Sequence, residues 1–187
     1  MSQRRVQIVI LCEDRQQEAF ARYFLKKRGF ILDRNIRIKI CVNKAKGAGE
    51  QFVRENYATE VKALRSKNYL LGMLVVLIDA DKKTVEERLK QLDDALIADS
   101  QQVRQPDEAI AIFVPKRNIE TWIHYLRGET FDEETKYAKF TNNESACKPH
   151  VEHLVNQCYQ GLDNNAPPSL QIACRELQRI LPLLDKL

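Results

Sequence analysis

The sequence predicts a three-layer α/β protein. Its central layer is a mostly parallel sheet of about four strands, and helices form the layer on each face. Two observations carry this prediction. Strand-sized apolar runs alternate with helix-patterned segments four times along the chain, which is typical of a parallel sheet covered on both faces. One of these runs, residues 73–78, is apolar throughout, as expected for a strand that is buried on both sides.

The composition is ordinary for a globular domain. The chain has 187 residues, 44% hydrophobic and 30% charged, which is long enough for one domain with a substantial core. The formal net charge of +4 is compatible with a polyanionic partner but does not establish one. The first five residues are polar and the apolar run behind them is only strand-sized, so we expect no signal peptide and no membrane span. The five cysteines are odd in number and scattered, which does not indicate a secreted disulfide framework, so we expect a cytoplasmic protein.

The predicted strands cover residues 6–12, 36–42, 73–78 and 109–114. The second strand alternates apolar with polar residues, which predicts a position nearer the edge of the sheet. The predicted helices cover residues 16–27, 50–67, 84–98, 118–126, 149–159 and 169–180. The third helix is the clearest, because it carries a single apolar stripe and because Thr84 and Glu87 have the spacing of a capping box. Asn118 is the predicted N-cap of the fourth helix.

The character of the sequence changes after residue 127. Residues 128–144 are charged and irregular, and two helices follow, of which Pro149 is expected to begin the first. We therefore divide the chain into an α/β core at residues 1–127 and a helical extension at residues 128–187 that packs on the same domain.

Four acidic residues are placed where strands end. Glu13 follows the first strand, Asp79 and Asp81 follow the third, and Glu120 lies in the first turn of the helix after the fourth. The carboxyl ends of parallel strands share one edge of the sheet, and that edge is where open α/β sheets bind ligands. If the third strand stays extended to its end, its two carboxylates point the same way. Four clustered carboxylates repel each other unless a cation balances them, which predicts a site for Mg²⁺ or Mn²⁺.

Basic residues are predicted near the same edge. Lys44 and Lys46 lie in the glycine-containing loop at residues 43–49, directly after the second strand. Lys116 and Arg117 follow the fourth strand. These side chains are candidates for binding phosphate or nucleic acid, although the loop alone is equally compatible with a basic loop that binds nothing.

Several of these residues occur in an order that resembles a known family. Glu13 after the first strand, Glu18-Ala-Phe on the next helix and a buried strand that ends in Asp79-Ala-Asp81 resemble the TOPRIM domain of topoisomerases, primases and overcoming-lysogenization-defect nucleases. Residues 113–122, Phe-Val-Pro-Lys-Arg-Asn-Ile-Glu-Thr-Trp, are similar to a segment of small stand-alone TOPRIM-like proteins, often found near ATPases in bacterial and phage-defence gene clusters. The resemblance covers about residues 6–126.

The resemblance implies a TOPRIM-like Rossmannoid fold and a Mg²⁺-dependent nuclease, a hydrolase that cuts phosphodiester bonds. It implies nucleic acid as substrate, with DNA favoured over RNA, and a role in antiviral defence beside an ATPase partner; homo-oligomerisation stays open. Glu13 would be a general acid/base or a metal ligand, Asp79 and Asp81 would hold Mg²⁺, and Glu120 would be an additional acidic ligand.

Two positions depart from the family pattern. Asp14 stands where many members have Gly, which questions the tightness of the turn after the first strand. Gln17 stands where many have Asp, which removes a possible carboxylate from the site. Both departures leave room for a domain that binds a partner but cuts poorly.

Three other interpretations compete with the nuclease. The domain is an interaction module for an ATPase, or it is another Mg²⁺-dependent phosphotransfer enzyme, such as a phosphatase of the haloacid dehalogenase class. That class usually carries Asp-x-Asp on its first strand, where this chain has only Glu13.

The third interpretation is a zinc site. It would be built from the cluster Cys147, His150, His153 and Cys158, but the spacing of these residues matches no common zinc pattern.

Overall fold

The computed structural model describes residues 6–186 and confirms an α/β fold around one four-stranded parallel sheet. The strands are β1 Gln7–Cys12, β2 Ile36–Ile40, β3 Gly72–Leu77 and β4 Ile110–Phe113. They are ordered β2-β1-β3-β4, and every neighbouring pair is parallel. The alternating strand predicted near an edge, β2, is an edge strand.

Six α-helices surround this sheet within the described part of the chain: α1 Arg15–Arg28, α2 Ala48–Ser66, α3 Val85–Ala98, α4 Glu120–Leu126, α5 Asn143–Gln160 and α6 Pro168–Glu176. Two short 3₁₀ segments, Leu177–Arg179 and Leu181–Lys186, follow α6. The helices pack in two layers because successive residues of a strand point to opposite faces of the sheet. On β1, Ile8 and Ile10 pack with α1, α4, α5 and α6, whereas Leu11 packs with α2 and α3.

The local sequence explains how several helices begin. The capping box at α3 is confirmed, since Thr84 and Glu87 exchange side-chain-to-backbone hydrogen bonds. The prediction that Asn118 caps α4 is wrong. Its side-chain amide instead donates to the carbonyl of Tyr137 at 2.8 Å and so holds the irregular segment between α4 and α5.

The prediction that Pro149 begins α5 is also wrong. The helix starts six residues earlier, at Asn143, where the side chain of Asn142 accepts a hydrogen bond from the amide of Ser145. Cys147 lies in this added part and is fully buried in the core, which favours helix there although Pro149 removes one helical hydrogen bond.

Cys158 of α5 and Cys174 beside it on α6 form a disulfide bond. This pairing was not predicted, because it depends on how the two helices pack and not on a recognisable spacing. Cys12, Cys41 and Cys147 are free thiols. No helix in residues 6–186 is both long and apolar enough to cross a membrane.

Candidate functional site

The strand order creates a crevice between β1 and β3. After β1 the chain adds β2 on one side, and it then returns to add β3 and β4 on the other side. The connections at the carboxyl ends of β1 and β3 therefore diverge, and this point is where open α/β sheets bind ligands. Glu13 directly follows β1, and Asp79 lies two residues beyond β3.

Glu13 and Asp79 are joined by hydrogen bonds and by a bridging glutamine. Oε1 of Glu13 accepts from the backbone amide of Asp79 at 2.6 Å. The side chain of Gln17, fully buried on α1, accepts from the amide of Glu13 at 2.8 Å and donates to Oδ1 of Asp79 at 2.9 Å. Gln17 thus occupies the position between the two acids with a neutral side chain that can donate to one and accept from the other.

Burial of these acids changes their protonation. Burial raises the pKa of Glu13 to about 7, although the amide of Asp79 opposes the shift. Burial also raises the pKa of Asp79 well above its usual range, and the nearby charges of Glu13 and Glu120 add to the effect. Ionising both groups at once is therefore unfavourable, which favours a retained proton or a bound cation.

Glu120 lies behind this pair. It is 1% exposed and its Oε1 has no hydrogen-bond partner. Burial raises its pKa to about 7, and the carboxylate of Asp14 adds to the shift while Lys139 and Lys136 oppose it. A buried carboxyl oxygen without a partner is costly, which again favours a bound proton or cation.

Asp81 is placed differently from Asp79. The expectation that both carboxylates point the same way required β3 to stay extended up to Asp81. This condition is not met, because β3 ends at Leu77 and Asp81 has a left-handed backbone with φ 56°. Asp81 forms an isolated bridge with Arg117, and its carboxylate lies 3.4 Å from Nζ of Lys136. It nevertheless lines the same cavity as Glu13 and Asp79.

This cavity has a volume of about 870 Å³ and combines both signs of charge. Its acidic residues are Glu13, Asp14, Glu50, Asp79 and Asp81. Lysines border it on two sides. Lys44 and Lys46 come from the loop after β2, as predicted, and Lys136 and Lys139 come from the segment between α4 and α5. Nζ of Lys139 lies 2.6 Å from Oδ2 of Asp14.

Lys116 and Arg117 are not among the residues that line this cavity. Nζ of Lys116 donates to the carbonyl of Lys83 at 2.8 Å. Nε of Arg117 donates to the carbonyl of Glu134 at 2.6 Å and so fixes the segment that carries Lys136. The structure therefore brings Lys44 and Lys46 to the acids but leaves Lys116 and Arg117 at its margin.

Sequence reasoning missed four contributors to this site. Lys136 and Lys139 lie in a segment without periodicity, so nothing in the pattern placed them. Asp14, one of the two residues that depart from the family pattern, has an extended backbone with φ −150° and caps α1 by accepting from the amide of Gln17, so the turn needs no glycine. Arg88 is 2% exposed and donates to Oε2 of Glu50 at 2.8 Å. The predicted stripe on α3 is apolar and does not include this arginine, so its burial was not expected.

The backbone of Gly49, at the start of α2, lies close to the side chain of Glu13. A Cβ at this position would lie 2.9 Å from both Cβ and Oε2 of Glu13. Real Cβ atoms do not approach other atoms this closely, so only glycine lets the start of α2 pack against the Glu13 side chain.

The fit of a metal ion can be judged from these contacts. Within residues 6–186, no three or more His, Cys, Asp or Glu side chains are grouped so that they could hold a metal ion. The four predicted carboxylates therefore do not form a ready-made cage. Their chemistry does suit a hard divalent cation, because every donor is oxygen and Oε1 of Glu120 has no hydrogen-bond partner.

The zinc interpretation has no support among the described residues. Cys158 is bonded to Cys174, and Cys147 is buried with its thiol directed to the backbone carbonyls of Asn143 and Glu144.

Comparisons of the chain with protein-family models, with curated proteins and with solved structures found no match.

Proposed function

We propose that this protein is a divalent-metal-dependent nuclease of the TOPRIM type, which hydrolyses phosphodiester bonds in nucleic acid, with DNA favoured over RNA. The observation that carries the proposal is the hydrogen-bonded pair Glu13 and Asp79 at the β1–β3 crevice, facing a cavity bordered by lysines. Buried acids with raised pKa values at a sheet switch point are candidates for catalysis.

Glu13 is the candidate general acid/base. Its pKa of about 7 allows it to accept and release a proton near neutral pH, which is the condition for efficient general acid/base catalysis. Gln17 orients the pair, because it holds the backbone of Glu13 and the carboxylate of Asp79 at the same time.

The lysines are candidates for positioning the phosphate. Lys44 and Lys46 approach the cavity from one side and Lys136 and Lys139 from the other, so a polyanionic chain that crosses the cavity meets positive charge on both sides. Lys136 and Lys139 pair with Asp81 and Asp14, and a phosphate would compete for them.

Glu13, Asp79 and Asp81 would hold Mg²⁺ or Mn²⁺ from the cavity side, with the charge of Glu120 behind them. The bound ion would supply Lewis-acid stabilisation of the charge that develops on the phosphate oxygens.

The test is nicking of supercoiled plasmid and cleavage of labelled DNA and RNA strands, with Mg²⁺ or Mn²⁺ and with chelator. We expect Asp79→Asn and Glu13→Gln to lower the metal-dependent rate by roughly a hundredfold or more. Asp33→Asn is the matched control, since this exposed residue precedes β2 at the opposite edge of the sheet. Circular dichroism shows whether the variants fold. Cleavage by Asp79→Asn at the parental rate contradicts the proposal.

A second candidate is an interaction module of an ATPase complex in antiviral defence, which keeps the fold without efficient cleavage. The lack of three grouped metal ligands among the described residues favours it. Purified protein that binds DNA but cuts it neither alone nor with the product of a neighbouring ATPase gene would support this candidate over the nuclease.

A further inference from the structure

The two edge strands of the sheet, β4 and β2, differ in how the outward-facing backbone groups are satisfied. In the β3–β4 ladder the amide of Leu74 donates to the carbonyl of Ala109, and the amide of Ile78 donates to that of Phe113. Backbone groups alternate in direction along a parallel strand, so Ile110 and Ile112 direct theirs away from the sheet. This outer edge of β4 would be open unless something else satisfied it.

Side chains close that edge. Nη1 of Arg104 donates to the carbonyl of Ile110 at 3.0 Å, and Oε2 of Glu176 accepts from the amide of Ile112 at 2.9 Å. Arg104 and Glu176 also form an ion pair with each other. A strand protected in this way is not available to pair with another chain.

The opposite edge, on β2, has no such cover from the part of the chain that the structure describes. The amide of Ile8 donates to the carbonyl of Asn35, and the register pairs Ile8 with Ile36, so the backbone groups of Ile36, Ile38 and Ile40 point outward. None of these outward groups has a hydrogen-bond partner among residues 6–186. Val42, just beyond the strand, is 88% exposed and extends the uncovered surface.

A small cavity lies beside this edge. It has a volume of about 240 Å³ and lies between the second half of α2 and the amino-terminal parts of β2, β1 and β3. Apolar and basic side chains line it together with the acidic Glu60. The residues that matter here are Arg34, Ile36, Lys67 and Leu70. The cavity is large enough for one apolar side chain of an added strand. Alternate residues of such a strand would point towards the α2 layer, where the cavity lies.

The charge of the surface around β2 indicates the kind of partner that it would bind. Four exposed cations lie near the two ends of β2 and form no ion pair within residues 6–186: Arg34 and Lys67 at the cavity, and Lys44 and Lys46 beyond the other end. They outnumber the exposed Asp33, which lies beside Arg34. On β2 itself, Arg37 and Lys39 share one carboxylate, Glu60. A second copy of this chain that paired through β2 would place these cations against each other, which is unfavourable. An acidic segment would be attracted.

We propose that the open edge of β2 is a docking site for an extended, acidic segment of a partner protein, which adds a strand to the sheet and places an apolar side chain in the adjoining cavity. The backbone groups of Ile36, Ile38 and Ile40 supply the hydrogen bonds, and the cations at both ends of the strand supply the preference for acidic sequence. This inference does not depend on whether the protein cuts nucleic acid.

The probes are two capped peptides that alternate valine with glutamate or with lysine, added to the full-length protein. Amide hydrogen exchange reports on the edge strand and fluorescence anisotropy reports the affinity. We expect the glutamate peptide at about 1 mM to slow exchange at Ile36, Ile38 and Ile40, and the lysine peptide to leave it unchanged.

Charge reversal separates specific docking from general attraction. Arg34→Glu with Lys67→Glu should weaken binding of the glutamate peptide by roughly tenfold, whereas Lys90→Glu, on the exposed face of α3, should not. Exchange at the three amides that does not change with the glutamate peptide overturns the proposal, and so does an equal response to both peptides. Protection that instead grows with protein concentration alone identifies a second copy as the occupant and overturns the acidic partner.

Discussion

Gln17 connects Glu13 and Asp79, because its side-chain carbonyl accepts from the backbone of the first and its side-chain amide donates to the carboxylate of the second. Gln17, the second of the two residues that depart from the family pattern, is therefore part of the site. A carboxylate in its place could accept from Glu13 but could not donate to Asp79 unless it were protonated.

We expect Gln17→Leu to lower the free energy of unfolding by about 1–3 kcal/mol, because it leaves a buried amide and a buried carboxylate oxygen without partners. Urea denaturation measures the change. Gln51→Leu, at an exposed position of α2, is the control and should change stability by less than about 0.5 kcal/mol. A loss at Gln17 no larger than at Gln51 would mean that the bridge contributes little to the fold.

Gly49→Ala should also destabilise the protein, by about 1–3 kcal/mol, because its Cβ would collide with the side chain of Glu13. A double-mutant cycle tests the cause. The cost should shrink in a Glu13→Ala background, where Oε2 is absent and the site can relax. An unchanged cost in that background would assign the effect to the Cβ of residue 13 or to the start of α2, and not to the carboxylate of Glu13.

Stability should fall as pH rises through neutrality. The carboxyl groups of Glu13 and Glu120 have a pKa of about 7 in the folded state against a usual value of 4.5, so between these values the folded protein binds more protons than the unfolded chain. The stabilisation from each proton is complete below about pH 4.5, decreases as pH rises between these two values and is lost above about pH 7.

Urea denaturation from pH 5 to pH 8 measures this dependence, and Glu120→Gln tests one of its sources. The variant replaces an acid by a permanently neutral group, so we expect a flatter pH profile and a gain of up to about 3 kcal/mol at pH 8. A profile as steep as that of the parent would place the titration elsewhere.

Divalent cations should reverse the effect of high pH. Mg²⁺ or Mn²⁺ that binds only the folded state raises the melting temperature, and the rise should increase with pH as the acids lose their protons. Thermal unfolding with and without metal measures it. We expect a rise in the parent and in Asp33→Asn but none in Asp79→Asn. An equal rise in all three would indicate binding away from the site.

The sequence was sufficient to predict those features of the fold and site that depend on hydrophobic periodicity or on the direction of the strands. All four strands lie within two residues of their predicted bounds, and the rule for parallel strand ends correctly placed Glu13 beside Asp79. It was insufficient where a single backbone torsion or a tertiary contact decides. The left-handed conformation of Asp81 turns its carboxylate towards Lys136, and no pattern anticipates that torsion.

The same limit applies to the irregular segment between α4 and α5. Its path depends on Asn118 and Arg117, whose side chains hold the carbonyls of Tyr137 and Glu134, and these contacts bring Lys136 and Lys139 to the acids. The disulfide between Cys158 and Cys174 likewise follows from the packing of α5 on α6.

Arg88 connects two walls of the large cavity. From its buried position on α3 it reaches Glu50, at the start of α2, and the carbonyl of Ala80, after β3. The loops that follow β2 and β3 are therefore coupled, whereas the wall with Lys136 and Lys139 meets the acids through half-exposed ion pairs, which are individually weak. A bulky ligand would accordingly enter by displacing that second wall, and the helix-anchored walls would keep their spacing while it does so.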